Sequence, residues 1–465
     1  NSLEVVVPEG EGGAVNPNTH GEQKVAVILV GFNDAPFQFP LYTKRFKNSY
    51  PIFREDIDFI LGEVARFYKE NSYDKVNLKF DLFGPVNLPT QSSCQRFETA
   101  ALSGVPIYSR YLYIYNDNKI DCTKNGLAFG SVGKNPVSEA WVPISSVRLV
   151  PPAYLVGAEL NFMTASAIKI IAHELGHNLG LYHANFLNCG DVSMLYNVFD
   201  CLDNEAFDYY DPMRRLDFES TISHFNALHK EKLGWILPSN IKEISKSGIY
   251  ILEPLELFST KIQILKIPLA FSSGQDYYYI DYRAPIGFDD TNKLKQEDLS
   301  GIFLYMKGFR QGGDTHMIDA DLFEKIGNSL SYAPGASIDF LRAYIDPVGK
   351  FSITPLKSDN TKAVVAIEFP NQPLRGKPYK EFIRGDVNRD GNVDTTDVIA
   401  ILEHLFYGKD SVLCQDAGDA NDDGVLDISD PVYILLYLFK GQNPIPEPYP
   451  NAGFDTTLDE LGCET

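Results

Sequence analysis

The sequence predicts three folded units in series: an α/β domain, an all-β sandwich-like domain and a small α-helical calcium-binding module. Strand-like and helix-like apolar runs are mixed up to residue 238, strand-like runs alone follow up to 370, and an acidic loop is duplicated near the C-terminus. We therefore expect the following units: an N-terminal arm at 1–23, the α/β domain at 24–238, the all-β domain at 239–370, a linker at 371–382 and the module at 383–465.

Hydrophobic periodicity places the elements of the α/β domain. A short apolar run rich in β-branched residues predicts a buried strand at 24–32, and apolar residues at helical spacing predict a helix at 56–70. Further strands are expected at 76–83 and 110–115, and an edge strand at 126–132. We expect loops from 184 to 213 and then a helix over 218–235.

The all-β domain contains apolar runs of strand length between turns, which predicts a sandwich that serves as a scaffold or a substrate surface. The expected strands are 249–252, 261–267, 277–283, 301–306, 351–355 and 363–369.

Charge excludes two classes of partner. The chain has 465 residues and a net charge of −21, which argues against nucleic acids and anionic membrane surfaces. From residue 381 onward, 18 acidic residues stand against 4 basic ones, a net charge of −14, and such crowding favours bound cations. The chain contains no run of 18 apolar residues, so no transmembrane helix is predicted.

The six cysteines form three sequential pairs without a C-x-x-C motif, which indicates disulfides and a secreted, extracellular protein. Buried thiols in a cytosolic protein are the alternative. The expected pairs are Cys94–Cys122, Cys189–Cys201 and Cys414–Cys463.

The central motif is His173-Glu174-x-x-His177, followed by Gly180 and His183. Positions four apart share a helix face, so the first two histidines can bind one zinc ion, with Glu174 beside them as a base. Gly180 allows the helix to end and the chain to turn, which makes His183 the candidate third ligand. Three protein ligands leave one position open, as in catalytic zinc sites. Two surface histidines on an ordinary helix are the alternative.

The C-terminal repeat consists of two loops 33 residues apart, each followed by a predicted helix, at 398–406 and 432–439. Oxygen-bearing side chains fill loop positions 1, 3, 5, 9 and 12, and Gly occupies position 6, as in loops that bind Ca²⁺; position 7 contributes its main-chain carbonyl. An acidic surface loop without metal is the alternative. The predicted ligands are Asp386, Asn388, Asp390, Asn392, Asp394 and Asp397 for calcium 1, and Asp419, Asn421, Asp423, Val425, Asp427 and Asp430 for calcium 2.

Two resemblances cover most of the chain. The zinc motif followed by Met213 resembles the metzincin metallopeptidases. Residues 25–32, 126–128, 211–213 and 233–235 resemble the gametolysin (autolysin) family, to which the immune inhibitor A peptidases are related, and 279–283 and 317–320 resemble its β domain. The tandem acidic loops resemble a type I dockerin.

The resemblances imply an apolar floor at Met213 below the zinc, a substrate-pairing edge strand near 126–132, and a cohesin domain as partner of the dockerin-like module. The chain departs from related enzymes that place a Tyr two residues after the Met, because Arg215 stands there; Tyr209 or Tyr210 are the substitutes. Since some related metallopeptidases use an acid as third ligand, Asp191 is the rival of His183.

Together these patterns predict a secreted zinc metalloendopeptidase that hydrolyses protein or peptide bonds, with one catalytic zinc, two structural calcium ions and a dockerin-like attachment module. The alternative is a catalytically idle metzincin-fold binding or scaffold protein tethered through that module. The intact Glu174 favours the enzyme.

Overall fold

Three β-sheets, few α-helices and a small C-terminal module form the part of the chain that the computed structural model describes. This mixed α/β architecture agrees with the predicted multidomain α/β class. The described residues are 19–32, 36–37, 54–88, 108–115, 128–134, 141–148, 160–188, 202–204, 208, 210–214, 222–269, 276–290, 301–307, 313–318, 338, 343–346, 350–371, 380–457, 459 and 461–463.

The first sheet contains five strands. They are β1 (Gly21–Phe32), β2 (Val76–Leu88), β3 (Arg110–Tyr115), β4 (Ala128–Lys134) and β5 (Trp141–Arg148). Their order is β2-β1-β3-β5-β4, and neighbours run parallel except β4, which pairs antiparallel with β5 at the edge. The predicted edge strand is therefore confirmed as an edge strand, shifted by two residues. β1 begins inside the predicted N-terminal arm, and β5 was not predicted.

Two helices pack against this sheet, α1 (Arg54–Asn71) and α2 (Leu160–Asn178). Apolar side chains of α1 recur at helical spacing and are buried together with one face of β1 and with the C-terminal half of α2. Acidic residues in the first turn of α1 and Lys69 in its last turn complement the helix dipole. The helix predicted at 56–70 is confirmed.

The second and third sheets form a sandwich. The seven-stranded sheet has the order β7-β6-β13-β12-β11-β10-β8, and the four-stranded sheet β14-β15-β16-β9. One buried cluster joins side chains of both sheets, for example Ile280 and Leu304 with Ile353 and Val365. The strands are β6 (His183–Asn188), β7 (Leu202–Asn204), β8 (Ile241–Glu243), β9 (Gly248–Leu252), β10 (Ile264–Pro268), β11 (Tyr277–Arg283), β12 (Gly301–Lys307), β13 (Gly313–Ile318), β14 (Tyr344–Asp346), β15 (Phe351–Asp359) and β16 (Lys362–Glu368).

The seven-stranded sheet crosses the predicted boundary between residues 238 and 239. Residues 184–213 were expected to be loops, but β6 and β7 lie there and β6 pairs in parallel with β13. The expectation of loops was wrong because the pairing partner of β6 lies about 130 residues further along the chain, where local pattern gives no sign of it. Through β6, the first unit and the sandwich share one sheet.

The helix predicted at 218–235 is much shorter, α3 (Ala227–Lys232), and residues 222–226 are not helical. Side chains distant in sequence accept the main-chain N–H groups of this segment, which replaces helical hydrogen bonding. The donors are His224, Phe225 and Asn226, and the acceptors are Asp289, Asn71 and Asp211.

The C-terminal module contains α4 (Thr395–Tyr407), α5 (Gln415–Gly418) and α6 (Ser429–Lys440), so both predicted exit helices are confirmed. Its ends meet where Phe382, inside the predicted linker, pairs with Gly453, and a disulfide joins Cys414 to Cys463 as predicted. The other four cysteines lie outside the described residues. Phe454 packs against the outer face of the four-stranded sheet.

The packing of the two long module helices differs in part from expectation. Val398 and Ile401 of α4 are buried with Ile434 of α6. The apolar pattern of the two helices predicts Ile399, Phe406 and Phe439 in this contact as well, but they are 55%, 67% and 72% exposed, because a small core takes only one side of each helix.

Candidate metal centres

The three predicted zinc ligands converge. One ring nitrogen from each of His173, His177 and His183 lies within 4.8 Å of the others. The Nε2 atoms of His173 and His177 are 3.1 Å apart, and the ring of His183 lies 5.5 and 5.0 Å, centroid to centroid, from theirs. The first two histidines share a face of α2, and the third is the first residue of β6.

Main-chain carbonyls orient two of the imidazoles. The Nδ1–H of His173 donates to Pro212 O at 2.9 Å, and the Nδ1–H of His177 donates to Leu181 O at 2.8 Å. A carbonyl can only accept, so these bonds fix the tautomer in which Nε2 carries a lone pair. Two nitrogens bound to one tetrahedral zinc at about 2.0–2.1 Å would lie about 3.3 Å apart. The observed separation of 3.1 Å therefore fits a zinc ion.

Burial also favours the protonation state that binds metal. Desolvation, with smaller contributions from His177 and others, holds the pKa of His173 well below its ordinary value, although the bond to Pro212 opposes the shift. His173 is therefore neutral at pH 7, the state in which imidazole is a ligand.

Glu174 is buried next to the histidines, with Oε1 3.9 Å from His173 Nε2. Burial raises its pKa to about 8. A cation at the histidine centre would act in the opposite direction, since a nearby positive charge favours the carboxylate. The carboxyl group thus lies within reach of a molecule bound between the three rings.

Met213 packs directly below α2. A Cβ added to Gly176 would lie 2.4 Å from Met213 Sδ, so a glycine is required between the two helical histidines for close packing. Met213 is fully buried, in agreement with its predicted place below the site. Gly180 has φ +91°, a conformation that favours glycine, and it lets the chain turn toward His183.

Asp211 organises the turn that carries Met213, a role that was not predicted from the sequence. Its Oδ1 accepts the main-chain N–H of Met213 at 2.7 Å, and its Oδ2 accepts that of Asn226 at 2.7 Å. The His229 Nδ1 lies 3.0 Å from the same oxygen. The signal in the sequence was an acidic residue two positions before the methionine, typical of a side chain that caps its own turn.

Strand β11 of the sandwich also supports this turn. Buried Arg283 donates to the carbonyls of Tyr210 and His224, and pairs with Asp289 at 2.9 Å. Asp281 accepts the N–H of Ala227 at 3.2 Å, and burial raises its pKa to about 7 despite Arg283. The sandwich therefore contributes both the β6 pairing and these side chains to the geometry around the histidines.

Of the two candidate tyrosines and the rival ligand Asp191, only Tyr210 lies within the described residues. The ring of Tyr210 packs against that of Phe303, 5.0 Å between centroids and tilted by 55°, in a buried cluster on the sandwich side. Arg214 is buried. Tyr209, Arg215 and Asp191 lie outside the described residues.

The two acidic loops have the turn geometry expected of calcium loops. Gly391 and Gly424 at position 6 have φ +88° and +80°. In the first loop Asp386 accepts the N–H groups of Asp390 and Gly391, and in the second Asp419 accepts the corresponding pair. The loops thus share these two hydrogen bonds at equivalent positions.

The loop carboxylates are less tightly gathered than the histidines. Asp397 and Asp430 at position 12 each bridge main-chain N–H groups at both ends of their loop. Among the described residues, no three acids of one loop bring oxygens within 4.8 Å of one another. The loops are shaped by their own N–H groups, and their predicted calcium binding stays a prediction.

Neither a scan of the chain against protein-family models nor a search among curated proteins gave a match. None of the helices that the structure describes combines the length and apolarity needed to cross a bilayer.

Proposed function

We propose that this chain is a secreted zinc endopeptidase of the metzincin type. The observation that carries the proposal is the convergence of His173, His177 and His183 with buried Glu174 beside them. A structural zinc site is closed by four protein ligands, whereas a catalytic one has three and keeps one position open. Three converging histidines match the second type.

In this proposal the chain's residues divide the work of peptide hydrolysis. Zinc held by the three histidines supplies a Lewis acid that polarises a carbonyl and lowers the pKa of water. Glu174 accepts a proton from the attacking water at a carboxylate oxygen and delivers it to the nitrogen of the leaving amine. As an edge strand, β4 can pair with an extended substrate. Met213 and Asp211 hold the turn that positions His173 through Pro212.

The test is Glu174→Gln, with Glu55→Gln on the exposed start of α1 as the matched control. We expect Glu174→Gln to lower casein or peptide-library cleavage by about 10²–10⁴-fold while it retains zinc, since only the base is lost. The control should match the unaltered chain. Wild-type proteolysis by Glu174→Gln would refute the role of Glu174.

The competing proposal, an idle scaffold, predicts a different outcome. The unaltered chain, with zinc bound and correctly folded, would then cleave nothing in the library with or without a zinc chelator. Activity that a chelator abolishes and zinc restores would exclude the idle scaffold.

For the module we propose two bound calcium ions and attachment to a cohesin-type partner. Exposed apolar residues recur on its two long helices at the 33-residue offset: Ile399 corresponds to Val432, and Phe406 to Phe439. Thr395, Thr396 and Ile428 are exposed and Ser429 is half-buried at the other equivalent positions. Two equivalent apolar faces favour a docking surface with approximate two-fold symmetry.

The docking test is capture of the full chain by an immobilised panel of cohesin domains in calcium. The paired variant, which combines Phe406→Ser with Phe439→Ser, should no longer be captured. The variant Lys440→Ser, at an exposed position, should still be captured. Capture that survives the paired variant would place the docking surface elsewhere.

A further inference from the structure

The C-terminal tail of the module brings three acids together outside the two loops. One oxygen from each of Asp416, Asp455 and Asp459 lies within 4.8 Å of the others. Asp416 belongs to α5, and the other two belong to the tail that returns along the module after Gly453. None of the three occupies a position in either acidic loop.

The tail is held at this place by several contacts. The disulfide from Cys463 to Cys414 joins it to the residue before α5, and Gln415 N donates to Gly462 O at 2.9 Å. Thr457 Oγ1 donates to Asp422 Oδ2 at 3.0 Å, inside the second loop. The convergence of the carboxylates is therefore set by the fold of the module and not by neighbours in sequence.

Two of the carboxylates are buried: Asp416 is 4% exposed and Asp455 is 5% exposed. Asp455 Oδ1 accepts from Thr457 N at 2.9 Å and from Arg384 at 3.1 Å. Asp455 Oδ2 is buried and has no hydrogen-bond donor within the described part of the chain. An acceptor oxygen buried without a donor is costly, so this atom indicates a ligand.

Arg384, the cation paired with Asp455, is shared with several other acceptors. Its guanidinium is buried and donates to the carbonyls of Glu447, Asp416 and Asp419, and it lies 2.9 Å from Asp422 as well as 3.1 Å from Asp455. The single positive charge of Arg384 is thus shared between Asp422 and Asp455, and Asp416 and Asp459 add further negative charge. Buried carboxylates at this spacing repel each other strongly unless a cation lies between them.

We propose that Asp416, Asp455 and Asp459 bind a third calcium ion, which fastens the C-terminal tail to the body of the module. Carboxylate oxygens are the ligands that hard divalent cations require. Oxygens bound to one Ca²⁺ lie up to about 4.6–5.2 Å apart, so three oxygens within 4.8 Å of one another can share a calcium ion. The three carboxylates are separate from the predicted calcium ligands of the two loops.

The first test counts calcium ions per chain by native mass spectrometry at saturating calcium. The parent protein for this test is the full chain carrying Glu174→Gln, because loss of the proposed base guards against self-digestion. Asp455→Asn keeps the size of the side chain and should bind one calcium ion fewer than the parent. Asp410→Asn, an exposed acid of the same module, should bind the same number as the parent. Equal counts in Asp455→Asn and the parent would overturn the proposal.

A second measurement covers the case in which Asp455→Asn does not fold. Crystals of the parent chain grown with calcium, or soaked with Tb³⁺, should show an anomalous peak between the three carboxylates. The variant Asp459→Asn, at a half-buried position, should weaken that peak and leave the peaks at the two loops unchanged. Ordered water, or no density, at the three carboxylates in saturating calcium would overturn the proposal.

Discussion

The histidine centre and the acidic loops are two candidate metal sites built on opposite principles. Two of the histidines lie on α2 and the third begins β6, and main-chain carbonyls orient two of them without any need for an ion. The loops carry charged ligands at the surface of a module with a small core. Their carboxylates repel one another until a cation is present. We propose that metal at the first site serves chemistry and that metal in the loops serves folding.

The largest expected effect is the loss of zinc affinity when one histidine of the centre is removed. His183→Ala should lower zinc affinity by at least about 100-fold, since even partners of zinc ligands are worth 10–100-fold, and proteolysis should fall with it. The fold should persist because the other two rings remain oriented. Zinc content and far-ultraviolet circular dichroism measure the two outcomes, with His404→Ala in the module as the control. Full zinc content in His183→Ala, combined with loss in Asp191→Ala, would show that the acid is the ligand.

Next is the dependence of the module on calcium. Loss of an ion present at 100 times its dissociation constant costs about 2.7 kcal/mol of unfolding free energy, so two loops together are worth about 5 kcal/mol. The double variant Asp386→Ala and Asp419→Ala should therefore leave the module open to limited proteolysis within 380–463. Removal of zinc with 1,10-phenanthroline should leave the same segment protected. A protected module in the double variant would show that its apolar core suffices.

A smaller effect, on the free energy of unfolding, is expected at the contact between Gly176 and Met213. Gly176→Ala places a Cβ against Met213 Sδ, and such overpacking costs about 1–3 kcal/mol of unfolding free energy. Gly62→Ala in α1 is the matched control, because nothing lies within 4 Å of its added Cβ and alanine favours a helix by about 1 kcal/mol. Urea unfolding measures both. A Gly176→Ala protein as stable as the control would mean that the methionine can move aside.

The smallest effect concerns the exposed faces of the module. Phe406→Ser should change stability by no more than about 0.5 kcal/mol, because the side chain is 67% exposed. Ile401→Ala, at a fully buried position five residues earlier, should cost about 2–5 kcal/mol. Thermal unfolding of the two variants distinguishes them. Equal losses would place Phe406 inside a contact.

Several elements of the fold followed from local pattern. β3 and β11 have the predicted bounds, and α1, α4 and α6 extend the predicted helices by a few residues. In each of these elements, the apolar pattern of the sequence agrees with the burial in the folded chain, so the pattern alone predicted the element. The prediction failed at 222–226 and at β6, where hydrogen-bond partners come from distant segments.

The sequence by itself determined that His173 and His177 lie together and that the acidic loops repeat, because fixed spacings on one helix face or in one loop bring these groups together. Only the tertiary structure decided what holds the histidine centre in place. Asp211, Arg283 and the pairing of β6 with β13 join segments far apart in sequence, and their contacts exist only once the sandwich is packed against the first unit. The cluster of Asp416, Asp455 and Asp459 has the same origin, since the return of the C-terminal tail, and no local spacing, brings its carboxylates together.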